Sequence, residues 1–365
     1  MAHIVTRRNL LLSSSALGIA AVSSGDGSFG ILAAQAQTAW KAERPIQAVI
    51  QFAAGGGTDA VVRTVLKEAE PVLGQRINAT NMPGALGSVA LEHVNQQPAD
   101  GHTWLGCGGF VDYPRIAGMK SSVAWRDWQF YQTNTSIASW SVHPDSPFKT
   151  FADVIEYARA NPGKLRVSSD GIGGLWHEAM AIIALKAGFK FTNVPFDGGA
   201  PATLAAVQRE VDVAGSGLHE QAQFIRAGRL RHLAVFTSQP VPFGDKALEP
   251  ITKYVPAAAD ATPFGAVYAI AVRRQTPQPV LQTLASVFER AVKSPGFQKM
   301  LADRFMQENF LTGAALDKRI AMMETQRAHL FQELGLAKKT PQELGLPSPD
   351  KFDSWWPPQG YRPAL

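Results

Sequence analysis

The chain has 365 residues, 45% hydrophobic and 18% charged, with 35 basic residues against 30 acidic for a formal net charge of +5. This composition excludes a disordered or fibrous protein, and the length allows two or so domains with cores of their own. The single cysteine, Cys107, excludes an intramolecular disulfide and a cysteine-rich metal centre, and without a run of like charges there is no basis for a nucleic-acid arm.

Residues 1–36 read as an export signal. Arg7-Arg8-Asn9 opens a basic segment, Leu10-Leu11-Leu12 begins a moderately apolar stretch, and Ala34-Gln35-Ala36 supplies a small-x-small cleavage pattern. The paired arginines resemble a twin-arginine signal, with the general secretory route as the alternative. Either route places a mature chain starting near Gln37 in the periplasm. Beyond the signal no stretch of 18 apolar residues occurs, so a soluble mature protein is expected.

The mature chain then alternates strands and helices. Residues 46–52 predict a strand, 58–73 a helix with Val61, Val62, Val65, Leu66 and Ala69 on one face, and Gly74 its C-terminal stop. A strand at 77–80, a turn at Asn81-Met82-Pro83-Gly84, a helix at 88–96 and a strand at 102–106 follow. This order implies a parallel sheet with helices on its faces. The grammar restarts at Thr150-Phe151-Ala152-Asp153, a capping-box pattern opening a helix to Ala160. Strands are expected at 165–168, 190–195, 212–216 and 230–237, and helices at 175–187 and from 200 to 207. Residues 239–263 are proline-rich and irregular. A strand at 267–272 and helices at 277–293, 297–304 and 316–333 complete the chain. Two α/β units with a return segment suggest two lobes closing on a ligand.

Several strands end in glycine-rich loops, where ligands of open α/β sheets bind. In Phe52-Ala53-Ala54-Gly55-Gly56-Gly57-Thr58-Asp59, the glycines let backbone N–H groups at a helix N-terminus approach a carboxylate, with Asp59 capping the helix or ordering a water. The loop matches neither a dinucleotide fingerprint nor a phosphate loop. Ser168 and Ser169 offer hydroxyls ahead of Gly171, Gly173 and Gly174, with His177 in the first turn of the next helix. His177 lacks the partners of a metal site. Phe196-Asp197-Gly198-Gly199 is a third such turn, where Asp197 either bonds a ligand hydroxyl or caps the helix at Ala200. Ser216, followed by His219-Glu220, ends a fourth strand, and Cys107-Gly108-Gly109 a fifth. Cys107 reads better as a buried small residue than as a nucleophile. No loop carries a catalytic pair or a metal set, which favours binding over catalysis and requires no cofactor.

These segments resemble the periplasmic receptors of the tripartite tricarboxylate transporter family, the Bug receptors. The resemblance runs in order through Gly55-Gly56-Gly57-Thr58-Asp59 with Arg63, Asn81-Met82-Pro83-Gly84-Ala85-Leu86-Gly87, Pro98-Ala99-Asp100-Gly101-His102-Thr103 and residues 144–151. It continues through Ser169-x-Gly171-x-Gly173 with His177, Val194-Pro195-Phe196-Asp197-Gly198, and Gly228-Arg229-Leu230-Arg231-His232-Leu233-Ala234. Arg209-Glu210 depart from the family's usual glycine pair, and the chain runs on past Trp355-Trp356 to Leu365.

The resemblance implies a two-lobed periplasmic-binding-protein-like α/β fold with a cleft between two α/β domains. One domain is expected at residues 37–142 plus 260–345, the second at 143–259, and an extension at 346–365. It implies a monomeric carrier that passes a small carboxylate to membrane transporter subunits. The expected ligand contacts are Phe52, Ala54, Gly55, Gly56, Thr58, Asp59, Cys107, Gly108, Ser168, Ser169, Gly173, His177, Phe196, Asp197 and Ser216. The rival readings are an exported enzyme acting on a small carboxylate and a receptor feeding a sensor kinase.

Overall fold

Two groups of strands divide the chain between them, and the polypeptide crosses from one to the other and back. The computed structural model describes residues 40–119 and 122–365. The export signal read at residues 1–36 lies outside the described residues. The described residues form one compact unit.

The N-terminal part runs β1 (Ile46–Ile50), α1 (Gly57–Leu73), β2 (Ile77–Asn81), α2 (Ser88–Asn95), β3 (Thr103–Gly108), α3 (Tyr113–Ile116), α4 (Ala124–Asp127) and β4 (Trp128–Thr135). Next come β5 (Ala138–Val142), α5 (Phe151–Ala160), β6 (Arg166–Ser169), α6 (Leu175–Ala187), β7 (Thr192–Pro195), α7 (Gly199–Val207), β8 (Ala214–Gly217), α8 (Leu218–Arg226) and β9 (Arg231–Val235). A hairpin of β10 (Val241–Phe243) and β11 (Lys246–Leu248) falls in the segment read as irregular. The chain returns through β12 (Val267–Arg273), α9 (Gln278–Val292), α10 (Pro295–Asp303), β13 (Gln307–Thr312), α11 (Gly313–Glu333) and α12 (Phe352–Trp355).

The first sheet has the order β13-β4-β12-β3-β1-β2. Strand β1 pairs in parallel with β2 (Ile46 opposite Ile77) and β3 (Ala48 opposite Trp104). Strand β12 is antiparallel to both β3 and β4, and β13 is antiparallel to β4. The parallel arrangement expected for β1–β3 is present, and the returning strands make the whole sheet mixed. The second group holds the antiparallel strands β8-β5-β9 and the parallel pair β6-β7, linked by a bridge between Val167 and Val213. The polypeptide leaves the first sheet after Thr135 and enters the second group at Ala138.

Helix α1 buries the face read from its periodicity, Val61, Val62, Val65, Leu66 and Ala69. Gly74 ends it in the left-handed region at φ 67°, donating its N–H to the Glu70 carbonyl. The capping box opening α5 is complete: Asp153 N–H donates to Thr150 Oγ1 at 3.3 Å, and Thr150 N–H donates to Asp153 Oδ2 at 2.9 Å.

Two features tie distant parts together. On α11, Arg327 donates through Nε to Glu178 Oε2 of α6 at 2.9 Å, pairs with Asp112, and lies 4.0 Å over the Tyr113 ring. Buried charges are tolerated because each has a partner. Near the C-terminus, Trp355, Trp356 and Tyr361 pack around Trp125, and Arg274 donates to the Arg362 carbonyl at 2.8 Å. These residues of the expected 346–365 extension are thus packed against α4 and the first sheet's border.

Candidate functional site

Four strand-to-helix turns and one strand end converge on a cleft of about 390 Å³. The turns lead into α1, α6, α7 and α8, so four helix N-termini turn their positive dipole ends toward it. A wider groove, about 1630 Å³, opens beside the crossing segments 135–137 and 263–267, and of the residues of the four turns Leu175 borders it as well.

The first turn places Phe52, Gly56 and Thr58 on the cleft. Gly55 takes φ 83°, a left-handed conformation that suits glycine, and its N–H donates to Asp59 Oδ2 at 3.0 Å. Asp59 Oδ1 accepts from Arg63 Nε (2.7 Å) and Asn81 Nδ2 (2.9 Å). Burial would raise this carboxyl's pKa, but the hydrogen bonds from Gly55, Asn81 and Arg63 hold it below the ordinary range. Asp59 orders the turn and does not border the cleft; Ala54 and Gly55 do not border it either.

In the second turn the lining residues are Asp170, Leu175 and Trp176. Asp170 caps α6: Oδ1 accepts from Trp176 N–H at 2.8 Å and Oδ2 from Leu175 N–H at 3.1 Å. Burial, reinforced by the charge of Glu220, pushes its pKa up to about 7 despite these bonds. The serines serve the fold instead. Ser168 Oγ donates to the Ala202 carbonyl (2.8 Å) and accepts from Gly215 N–H (3.3 Å), locking β6 to α7 and β8. Ser169 Oγ donates to the Gly171 carbonyl at 3.0 Å within its own turn. His177 Nδ1 accepts from Gly173 N–H at 2.9 Å, its ring meets Phe191 edge-on, and burial pushes its pKa down to about 4. It is therefore neutral at physiological pH and holds the turn shut.

In the third turn Asp197 is exposed and borders the cleft beside Gly198 and Gly199, while Phe196 packs against an apolar cluster with Val194 and Ala205. In the fourth, Ser216 Oγ is spent on Thr203 Oγ1 (2.7 Å) and Gln221 Nε2 (2.9 Å). Glu220 does line the cleft, and its carboxylate accepts from Gly57 N–H of α1 (Oε1, 3.2 Å) and Gly217 N–H (Oε2, 2.9 Å). Burial would raise the Glu220 pKa; attraction to the His219 ring and the two backbone N–H groups outweigh it and keep the group ionised. His219 Nε2 lies 3.0 Å from the Tyr268 hydroxyl on β12. At the end of β3, Gly108 reaches the cleft, because a Cβ there would stand 2.4 Å from Thr58 Oγ1. Cys107 faces the opposite way, into an apolar cluster with Val49, Phe110 and Phe130, and burial pushes its thiol pKa up.

Of the residues expected to contact a ligand, the structure gathers Phe52, Gly56, Thr58, Gly108 and Asp197 on one cleft. Ala54, Gly55, Asp59, Cys107, Ser168, Ser169, Gly173, His177, Phe196 and Ser216 lie behind or beside it. Asp170, Trp176, Glu220 and Tyr268 line it without having been singled out as contacts. Asp170 and Trp176 sat inside a segment already read as a ligand loop. Glu220 carried a signal in the His219-Glu220 pair. Tyr268 carried none, being one residue of an apolar strand. Among the described residues no group of three or more His, Cys, Asp or Glu side chains could hold a metal ion.

Residues 61–336 match the family described as the tripartite tricarboxylate transporter family receptor. The chain belongs to that family. The receptor is 26% identical over 346 residues to the UPF0065 protein in the gbd 5′ region of Cupriavidus necator, covering 92% of this chain and 98% of that protein. Its fold matches the periplasmic binding protein BugD, with a TM-score of 0.71, 24% identity, and coverage of 82% of this chain and 100% of BugD. It also matches an R. palustris protein solved with adipate, with a TM-score of 0.72, 21% identity, and coverage of 81% and 98%. Family membership makes the chain a solute-binding receptor rather than an enzyme.

Proposed function

We propose that this receptor captures a small solute bearing a carboxylate in the cleft between its two groups of strands and passes it to the membrane subunits of a tripartite tricarboxylate-type transporter. One observation carries the reading: helix N-termini from both groups of strands converge on a single cleft. The adipate bound to the R. palustris neighbour supports a carboxylate as the ligand class. The export signal read in the sequence and the similarity to the periplasmic binding protein BugD support a periplasmic location; the proposed mature chain starts near Gln37 and acts as a monomer. The residues 37–142 with 260–345 and residues 143–259 then act as two lobes that close on the ligand.

The experiment is a calorimetric titration of the mature protein, purified from periplasm and sequenced at its N-terminus, with a library of mono- and dicarboxylates. Scattering is recorded with and without the best ligand. Saturable binding with a smaller radius of gyration on binding is expected. A library without a single binder, or a chain retained in the cytoplasm with Met1 intact, overturns the reading.

A further inference from the structure

We infer that Glu220 sets the specificity of this cleft, restricting its ligand to one that presents a hydrogen-bond-donating nitrogen head, an amide or an ammonium, to the Glu220 carboxylate. The inference rests on the cleft being the ligand site and narrows the carboxylate class to acids that carry such a head at another end.

The argument begins with where Glu220 stands. An anion is best held where helix N-termini meet, since their free N–H groups and dipoles favour negative charge. The chain has already put an anion of its own at that point. The Glu220 carboxylate takes the Gly57 N–H at the start of α1 and the Gly217 N–H at the start of its own helix α8. It also lies against the start of α7, where a Cβ on Gly199 would stand 1.8 Å from Oε2. Glycine at 199 is what lets the carboxylate approach that closely. The carboxylate therefore occupies one N–H at each of two helix starts and lies against a third before any ligand arrives.

The rest of the lining points the same way. Asp170 and Asp197 add two more acidic side chains, and among the described residues no lysine or arginine lines the cleft. A ligand carboxylate set against Glu220 would meet a like charge in a buried setting, with the local N–H donors already engaged. An amide or ammonium meets the opposite situation, an ionised acceptor held rigidly from both sides. A charge-assisted hydrogen bond there is among the stronger polar contacts available. The ligand's own carboxylate is left the positions around Gly56, Thr58 and Ala200, away from Glu220.

The test uses three matched series: dicarboxylates from succinate to suberate, their monoamides, and the ω-amino acids of corresponding length. Each is titrated calorimetrically into the mature wild-type protein and into Glu220→Gln and Glu220→Ala, with thermal melts to establish that each variant is folded. In wild type the best monoamide or ω-amino acid should bind at least about tenfold more tightly than the dicarboxylate of the same length. That ratio should collapse or invert in whichever variant folds. Which series wins identifies the head as amide or ammonium. A wild-type protein that binds the dicarboxylates as tightly as the other series overturns the inference while leaving the carboxylate-receptor reading intact. So does a ratio unchanged by substitution. If no member of any series binds, the carboxylate-receptor reading fails and this inference with it.

Discussion

Replacing Gly57 by alanine tests the contact through which the two groups of strands meet at the cleft. Gly57 opens α1, and the Cβ it lacks would stand 2.1 Å from His219 Nε2 and 2.6 Å from the Tyr268 hydroxyl. Ordinary contact needs about 3.5 Å, so the ring must retreat by roughly 1.4 Å. Overpacking of this kind costs about 1–3 kcal/mol. The same movement breaks the 3.0 Å Tyr268–His219 hydrogen bond, and two buried groups left unpaired cost about 1–3 kcal/mol more. The loss is therefore roughly 2–6 kcal/mol. A folded unit of this length has an unfolding entropy of about 0.7 kcal/mol per degree, so the melting temperature should fall by roughly 3–9 °C. Gly56→Ala is the matched control. Its Cβ would meet Ala53 O at 3.5 Å and Glu220 Oε1 at 3.8 Å, with φ at −77°, so it should melt within about 1 °C of wild type. Differential scanning calorimetry of the two variants decides. Equal melting temperatures for Gly57→Ala and wild type, or equal losses for both variants, refute the packing argument.

Asp170 holds its proton to about pH 7 when folded but releases it near pH 3.9 when unfolded. Between those values the folded state binds more protons, so stability falls as pH rises through that window. Glu324, also raised to about 7 chiefly by burial, acts in the same direction. His177, lowered to about 4, acts in the opposite sense below about pH 6.5 but is common to wild type and variant, so in a melt series the wild type should lose melting temperature relative to Asp170→Asn as pH rises from about 5 to about 8. Arg327→Met strands the buried carboxylates of Asp112 and Glu178 and should cost about 3–5 kcal/mol, read by urea unfolding. Cys107 should resist an aromatic disulfide reagent until the protein is unfolded, and Cys107→Ala should leave ligand affinity unchanged by titration, because the thiol faces the apolar cluster behind β3.

The sequence made much of the first sheet legible because β1, α1, β2, α2 and β3 each carry their own period and stop signals. Strand β4 was invisible for a physical reason. Gln129, Gln132, Thr133 and Asn134 are all buried, so the strand shows neither alternation nor an apolar run. Its glutamine side-chain N–H groups find their partners on β13, a strand far along the chain: Gln129 Nε2 donates to Thr312 Oγ1 and Gln132 Nε2 to the Asn309 carbonyl, both at 2.8 Å. Local sequence cannot display a partner so distant. At the site, glycine patterning located the turns but not which way their side chains face. Ser168 looks like a ligand donor in sequence, yet the Ala202 carbonyl and Gly215 N–H that occupy it come from later in the chain. Tyr268 reaches the cleft only because β12 returns to lie beside β3.

The fit of a ring nitrogen into the space left by Gly57 also predicts how this receptor and its relatives should vary. Positions 57 and 219 are far apart in the chain, yet they share one small volume, since His219 also crowds Gly217 from the other side. A side chain gained at 57 should then be accompanied by a smaller residue at 219, and a histidine at 219 by glycine at 57. The same coupling joins 199 to 220, so a relative without the glutamate is free to carry a side chain at 199. Paired substitution at these positions should appear across an alignment as covariation between segments that no local motif connects.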